Sequence, residues 1–226
     1  MDYETTLWLA VLVVLGLSFL AQWLVKSTYK KYSKVQAQKG LSAEEVAEQI
    51  LAYHGVHIPI QRVAGELTDH YDPRKKILAL SQGVHGSASI AAYGIAAHEA
   101  GHAIQHAKAF APLSLRNAIF PAANFGSNFG PWLFIAGLFL QIEPLLNIGI
   151  IFFGFAMIFS VITLPVELDA SRRAIEALSG RKLLTAQELP GAKKVLSAAA
   201  LTYLAATLMA IIQMLRFLAM RNSRRR

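Results

Sequence analysis

Long apolar runs alternate with shorter polar stretches along this chain of 226 residues. A helix rises roughly 1.5 Å per residue, so about 20 apolar residues cross about 30 Å of hydrocarbon. Four runs approach or exceed that length, at 7–25, 113–140, 145–166 and 195–218. The pattern therefore predicts a mainly helical, polytopic membrane protein with three or four transmembrane helices.

The polar stretch between the first two apolar runs predicts a small α+β domain. Ser42 followed three residues later by Glu45 is typical of a capping box, and predicts a surface helix over 41–54. The region 56–81 is rich in strand-forming residues around an Asp-Pro turn, and its last part, 77–81, is predicted to form an edge strand.

An alanine-rich helix is predicted from residue 87 to about residue 108. The second apolar run follows it and contains Pro121, Gly126, Gly130 and Pro131, which predict a kink or an irregular first half. The third run leads directly into a polar helix over 167–178.

Composition agrees with a membrane protein, since 54% of the residues are hydrophobic and only 16% are charged. The net charge of +8 is concentrated beside the apolar runs, which favours lipid head groups as partners over nucleic acid. The chain has no cysteine, which excludes disulfides and cysteine-ligated metals. The first apolar run is preceded by acids and followed by no cleavage site, so it is interpreted as a retained anchor.

Loop charge predicts the orientation in the cell membrane. Residues 1–6 and the connection 141–144 lack Lys and Arg, whereas 26–116 and 172–194 are rich in both. The positive-inside rule then places the last two regions in the cytoplasm. The basic tail 221–226 breaks this pattern if the last helix fully crosses the membrane, and the sequence leaves that question open.

The chemistry of the chain is concentrated in the HExxH sequence of the alanine-rich helix. His98 and His102 are four residues apart and share one helix face, so both imidazoles can bind one zinc ion. Glu99 lies about 100° further round the helix, where it can take the proton of an attacking water as the catalytic base. A solvated His-Glu face is a weaker explanation, because the rest of the helix is apolar.

A catalytic zinc site needs a third protein ligand. His106 is one candidate, but it lies about 12 Å from His98 along the helix axis. Glu167 is the favoured candidate because it opens a helix whose small residues permit close approach to the HExxH helix, and Asp169 is the remaining alternative.

Three blocks of sequence carry a resemblance that covers most of the chain. They are Leu67–Pro73 (LTDHYDP), Ala97–His106 (AHEAGHAIQH) and Glu167–Ala174 (ELDASRRA). In this order they resemble the YugP-type neutral zinc metallopeptidases of bacterial membranes. That family is similar in motif to the HtpX-like and CAAX-type membrane proteases, whose third zinc ligand is the Glu of an E-x-x-A-D motif. The resemblance implies the same role for Glu167, with Ala170 in the place of the Ala and Ser171 in the place of the Asp.

Several further residues are candidates for supporting roles around the zinc. His70 and Tyr71 could line the cleft or donate to an oxyanion, although a simple turn at this point is the favoured interpretation. Further contacts to the zinc ligands could fix their orientation, and the candidates for this role are Asp169, Ser171 and Arg172. One or more of the arginines could instead face lipid phosphates.

These inferences give one organisation for the whole chain. It consists of an anchor with a basic linker (1–39), a zincin-like domain (40–112), a transmembrane hairpin (113–166), a helix with the third zinc ligand (167–194) and an apolar helix with a basic tail (195–226).

The expected function is hydrolysis of protein or peptide substrates at the cytosolic membrane surface, with one zinc per chain. Two alternatives are an intramembrane protease of the site-2 type and a non-catalytic, zinc-stabilised scaffold. A second copy of the chain or another membrane protein could be a partner.

Overall fold

The computed structural model describes residues 3–223 and is mainly helical, as the apolar pattern predicts. The elements in chain order are α1 (Tyr3–Tyr32), α2 (Ala43–Tyr53), β1 (Ile60–Val63), β2 (His70–Asp72), β3 (Ile77–Ser81), α3 (Ile90–Ala107), α4 (Ala111–Leu140), α5 (Glu143–Gly180) and α6 (Leu189–Ser223).

Three of these helices are long and apolar enough to cross a membrane: α1 from Thr5, α5 and α6. The other predicted span, 113–140, is helical within α4. Its mean hydropathy is lower, and it is not among the candidate spans found in residues 3–223. Asn124, Asn128 and several glycines and prolines lower its mean hydropathy. The helix is nevertheless continuous through Pro121 and Pro131, so an irregular first half is not found.

The chain divides into two compact units. The apolar unit comprises residues 3–21, 114–165 and 201–223, and the strand unit comprises residues 22–113 and 166–200. Most of the exposed large hydrophobic side chains belong to the apolar unit, among them Trp8, Phe19, Trp132 and Phe139. Such a surface suits lipid and not water.

Within the apolar unit, α4 and α5 pack closely through glycines. A Cβ atom on Gly130 would lie 2.8 Å from the backbone nitrogen of Phe153, and one on Gly149 would lie 2.5 Å from that of Phe134. Only a short connection separates the two helices, which is the arrangement expected of antiparallel neighbours.

The last turns of α6 lie beside the beginnings of α1 and α5 in the apolar unit. The guanidinium of Arg216 is 3.7 Å from the ring centre of Trp8, and Arg221 donates to Asn147 over 3.3 Å. A basic end of α6 therefore lies at the same end of this unit as the start of α1. Arg224–Arg226 lie outside the described residues.

In the strand unit, the predicted capping box is confirmed. The Ser42 hydroxyl accepts from the Glu45 backbone, the Glu45 side chain accepts from the Ser42 backbone over 2.7 Å, and α2 follows. Gly55, at φ +69°, follows its C-cap as the sequence predicts.

The prediction that 77–81 forms an edge strand is wrong. The strand order is β1-β3-β2, so β3 is central, parallel to β1 and antiparallel to β2. Both edges of β3 are hydrogen-bonded within the sheet, and four of its five residues are buried. The reason is that β1 also pairs with β3, which no local pattern reveals. β2 is an edge strand, and it packs near α3.

Candidate active site

The candidate site begins with α3, the helix that carries the HExxH sequence. Ser89 caps its first turn by accepting from the backbone of Ala92 over 3.2 Å, and the helix begins at Ile90, three residues after the predicted start at residue 87. Most of α3 is buried in the core of the strand unit. Four-residue spacing brings His98 and His102 onto one face, with their ring centres 4.7 Å apart.

Glu167 of α5 meets both histidines. Its Oε2 atom lies 3.2 Å from Nε2 of His98 and 3.5 Å from Nε2 of His102. One ligand atom from each of the three side chains lies within 4.8 Å of the other two. The side chains are 13%, 10% and 3% exposed, respectively for His98, His102 and Glu167. The structure thus brings together the three residues that the sequence selects as metal ligands.

Small residues allow α3 and α5 to approach this closely. Ala170 is fully buried. A Cβ atom added to Gly101 would lie only 2.8 Å from the carbonyl oxygen of Ala170. A backbone carbonyl cannot move aside as a flexible side chain can, so a larger residue at either position would separate the helices. The small helix faces recognised in the sequence therefore meet as expected.

Each histidine is also held at its other ring nitrogen. Ser171 Oγ lies 3.1 Å from Nδ1 of His98, and Gln105 Oε1 lies 3.0 Å from Nδ1 of His102. Such contacts leave Nε2 of both rings directed towards Glu167 and fix the ring orientations. Ser171, which the resemblance places at the Asp position of the E-x-x-A-D motif, contacts a candidate ligand.

Gln105 determines which nitrogen of His102 carries the proton. Its amide nitrogen donates to the Val166 carbonyl over 2.9 Å and to Asp169 over 2.8 Å, so its oxygen must face His102 as an acceptor. In its neutral form, His102 then carries the proton on Nδ1, and the lone pair of Nε2 is available for a metal ion. Sequence reasoning missed Gln105, although its position three residues after His102 puts both on one helix face.

Asp169 is not one of the three clustered ligand groups, and supports Gln105 instead. It accepts from Gln105, from Nε of Arg173 over 2.6 Å and from Arg172. Arg172 also pairs with Glu176 over 2.7 Å. A chain of hydrogen bonds therefore runs from the two arginines through Asp169 and Gln105 to His102.

The electrostatics of the cluster favour a cation. Burial opposes the charged form of His102, but its hydrogen bond to Glu167 and the charges of Glu99 and Glu167 outweigh this and raise the pKa of His102. The same negative charges that retain a proton there would attract a metal ion.

Glu99 lies next to His98 but is not a member of the three-residue cluster. The residue is 8% exposed, and no hydrogen bond within residues 3–223 holds its carboxylate. The Glu99 carboxylate therefore takes no part in the hydrogen bonds that position the candidate ligands.

Tyr71, His106 and His70 form no hydrogen bond with the three clustered groups. Tyr71 and His106 form a pair, with the Tyr71 hydroxyl 2.7 Å from Nδ1 of His106. His106, the alternative third ligand, is therefore engaged elsewhere. Nδ1 of His70 lies 2.9 Å from the carbonyl of Thr68, a local contact of the kind expected in a turn.

Removal of the Gln105 side chain is expected to weaken zinc binding. Gln105→Ala leaves the Nδ1–H of His102 without its acceptor and should lower zinc affinity by roughly 10- to 100-fold, the usual effect of losing such a contact. Competition with a chromophoric chelator measures the affinity. Gln82→Ala, on an exposed turn, is the matched control. Wild-type affinity in Gln105→Ala would show that the contact has no role in metal binding.

The chemistry of the cluster fits zinc. Two imidazole nitrogens and one carboxylate oxygen form a set of protein ligands found in catalytic zinc sites, in which water or substrate takes the fourth position. Outer contacts to both imidazoles are also typical of such sites. No cysteine or dense oxygen cluster suggests another metal in the described residues around His98, His102 and Glu167.

Comparison with known proteins agrees with this chemistry. Residues 7–222 match the family described as "Putative neutral zinc metallopeptidase". The chain is also 46% identical over 207 residues to "Putative membrane protease YugP" of Bacillus subtilis (strain 168), covering 91% of this chain and 92% of that protein. No solved structure shows a significant match. A family match over nearly the whole chain, together with this relative, shows that the chain belongs to the family described as neutral zinc metallopeptidases.

Proposed function

We propose that this protein is a membrane-embedded zinc metalloendopeptidase that hydrolyses protein or peptide substrates at the cytosolic membrane surface. The observation that carries the proposal is the convergence of His98, His102 and Glu167 from two helices, with Glu99 in the next position to a ligand. His98, His102 and Glu167 would hold one zinc per chain, and Glu99 would act as the base.

Zinc, when bound, supplies a Lewis acid that polarises the peptide carbonyl and lowers the pKa of an attacking water. Glu99 accepts a proton from that water as the water oxygen bonds to the carbonyl carbon. Glu99 then delivers the proton to the leaving amine as the C–N bond breaks. Ser171 and Gln105 keep the imidazoles in place during both steps.

The edge strand β2 is our candidate for the substrate-pairing strand, now that β3 is known to be central. A strand of this kind can pair with an extended peptide through its free backbone groups. Tyr71 lies on β2, and its hydroxyl is directed to His106 of α3, so a role for Tyr71 or His70 at an oxyanion remains a prediction.

The two alternative functions differ from this proposal in observable ways. A site-2 protease carries HExxH inside a true span, whereas α3 is not among the candidate spans of residues 3–223. A zinc-stabilised scaffold has no need of a base beside its ligands. Zinc content and hydrolysis of unfolded casein, measured on the same Glu99→Gln protein, separate an enzyme from a scaffold. Only an enzyme shows zinc-dependent hydrolysis that this substitution removes.

The cytosolic orientation is tested by cysteine labelling, which is clean because the chain has no native cysteine. Single cysteines at Thr5 and Gln141 are expected to react with an impermeant maleimide on intact cells. A cysteine at the exposed Gln82 should react only after permeabilisation. Labelling at Gln82 in intact cells would place the candidate site outside, and would show that the positive-inside argument fails for a chain with a basic end on α6.

A further inference from the structure

A cavity separate from the candidate metal cluster lies in the strand unit, where the C-terminal ends of α2, α3 and α5 meet. Its volume is about 510 Å³, within the range of roughly 300–1,000 Å³ common for small-molecule sites. The polar and aromatic lining consists of Tyr53, His54, Lys108, Arg173, Glu176 and Arg181. None of the candidate zinc ligands lines it.

The cations of this cavity are incompletely neutralised. Glu176 pairs with Arg172, and Arg173 pairs with Asp169. Lys108 and Arg181 have no carboxylate within 4.0 Å in the part of the chain that the structure describes. Two positive charges in one cavity without counter-charges repel each other, so an anion would be attracted there.

Arg181 carries the most specific indication of a missing partner. Its guanidinium lies 4.7 Å from the ring centre of Tyr53. Its Nε atom is buried and has no hydrogen-bond acceptor. No hydrogen bond of the Arg181 side chain is found within residues 3–223, and because Arg181 lines the cavity, an anion there would supply an acceptor for the guanidinium.

Capping of the helix ends is the alternative role for these cations, because basic residues stabilise helix C-termini. Most carbonyls in the last turns of α3 and α5 are already bonded to backbone N–H groups, as in Lys108 N to Ile104 O at 3.0 Å and Leu183 N to Leu178 O at 2.9 Å. Neither the Lys108 nor the Arg181 side chain bonds a carbonyl among residues 3–223. Their donors are therefore not committed to capping.

The pKa of His54 is affected by the positive charges that line the cavity. Burial, and then the charges of Lys108, Arg173 and Arg181, lower the pKa of His54 below the ordinary value for histidine. The ring is consequently neutral near pH 7 and contributes a donor or acceptor without adding charge.

We infer that Lys108, Arg173 and Arg181 form a binding site for a phosphate-bearing anion, distinct from the candidate zinc centre. Phosphate suits the arrangement better than a carboxylate, because its oxygens point in several directions and can accept from donors after α3, on α5 and after α5 at once. The phosphate could belong to an anionic lipid head group or to a soluble phosphate. This inference does not depend on peptidase activity.

Arg173 connects this cavity with the candidate metal site, since the same side chain holds Asp169 and, through Gln105, His102. Changing Arg173 would therefore disturb both sites. The test uses Lys108 and Arg181 instead, which have no contact with that chain of hydrogen bonds.

The experiment compares the zinc-loaded wild-type protein with Lys108→Gln/Arg181→Gln, and with Lys194→Gln as a control for charge at an exposed position. One arm titrates inorganic phosphate by calorimetry in phospholipid-free detergent. The other titrates phosphatidylglycerol, with phosphatidylcholine for comparison, by native mass spectrometry. Circular dichroism and zinc content confirm that each variant is folded, and the single variants Arg181→Lys and Arg181→Gln are compared to test whether charge alone restores binding.

The wild type and Lys194→Gln are expected to bind at least one anionic probe, and the double variant to bind it at least about tenfold more weakly, given the energy of charge-assisted hydrogen bonds. Arg181→Lys should retain more binding than Arg181→Gln. Loss confined to phosphatidylglycerol identifies a lipid head group, and loss confined to inorganic phosphate identifies a soluble ligand. Equal binding by wild type and double variant, or no binding of either probe, would overturn the inference.

Discussion

Replacement of Glu99 by Gln is expected to leave one zinc per chain and to lower hydrolysis by about three orders of magnitude or more. Gln keeps the size of the side chain but cannot accept the proton of the attacking water. Glu99 is not one of the three clustered ligand groups, so the metal should remain. Zinc is measured by elemental analysis and hydrolysis by release of casein fragments from the same preparation.

Glu48→Gln is the matched control, because it removes the same charge from an exposed position of α2. It should retain both zinc and activity. Near-normal turnover in Glu99→Gln would reject the assignment of the base. Loss of zinc in this variant would instead make Glu99 a ligand, and the mechanism would need a different base.

The second large effect concerns Glu167. Glu167→Ala removes the carboxylate that lies between the two imidazoles, and should abolish activity. Zinc affinity should fall by more than the roughly 10- to 100-fold typical of outer contacts, because a direct ligand is lost. Chelator competition and the hydrolysis assay provide the two measurements.

His106→Ala serves as the comparison, since His106 is the rival ligand on the same helix as His98. Its Nδ1 is 2.7 Å from the Tyr71 hydroxyl, so its loss should affect packing near β2 more than metal binding. If His106→Ala removed the metal and Glu167→Ala left it in place, the ligand assignment would be reversed. The argument that α5 completes the site would then fail.

Local features of the sequence predicted the elements of the site well. The capping box of Ser42 and Glu45 and the helix around His98 depend on neighbours a few residues away, and both were predicted correctly. The position of Glu167 beside the two histidines could also be predicted, because the small residues beside it indicated a close helix contact. Gly101 and Ala170 provide that contact.

Features set by distant pairing were harder to predict. The central position of β3 depends on its parallel pairing with β1, and that pairing leaves no signal in residues 77–81 themselves. Pro121 and Pro131 lie within the continuous helix α4, although proline usually interrupts a helix. The role of Gln105 depends on Val166 and Asp169, more than 60 residues away, so only its spacing from His102 was visible in the sequence.

The central claim is that one zinc ion is held by His98 and His102 together with Glu167, and metal content tests it most directly. Elemental analysis of the purified wild-type protein should give one zinc per chain. His98→Ala/His102→Ala should contain almost none, while circular dichroism still shows the helical fold. A double variant that retained a full equivalent of zinc would contradict the account, because the metal would then be bound elsewhere.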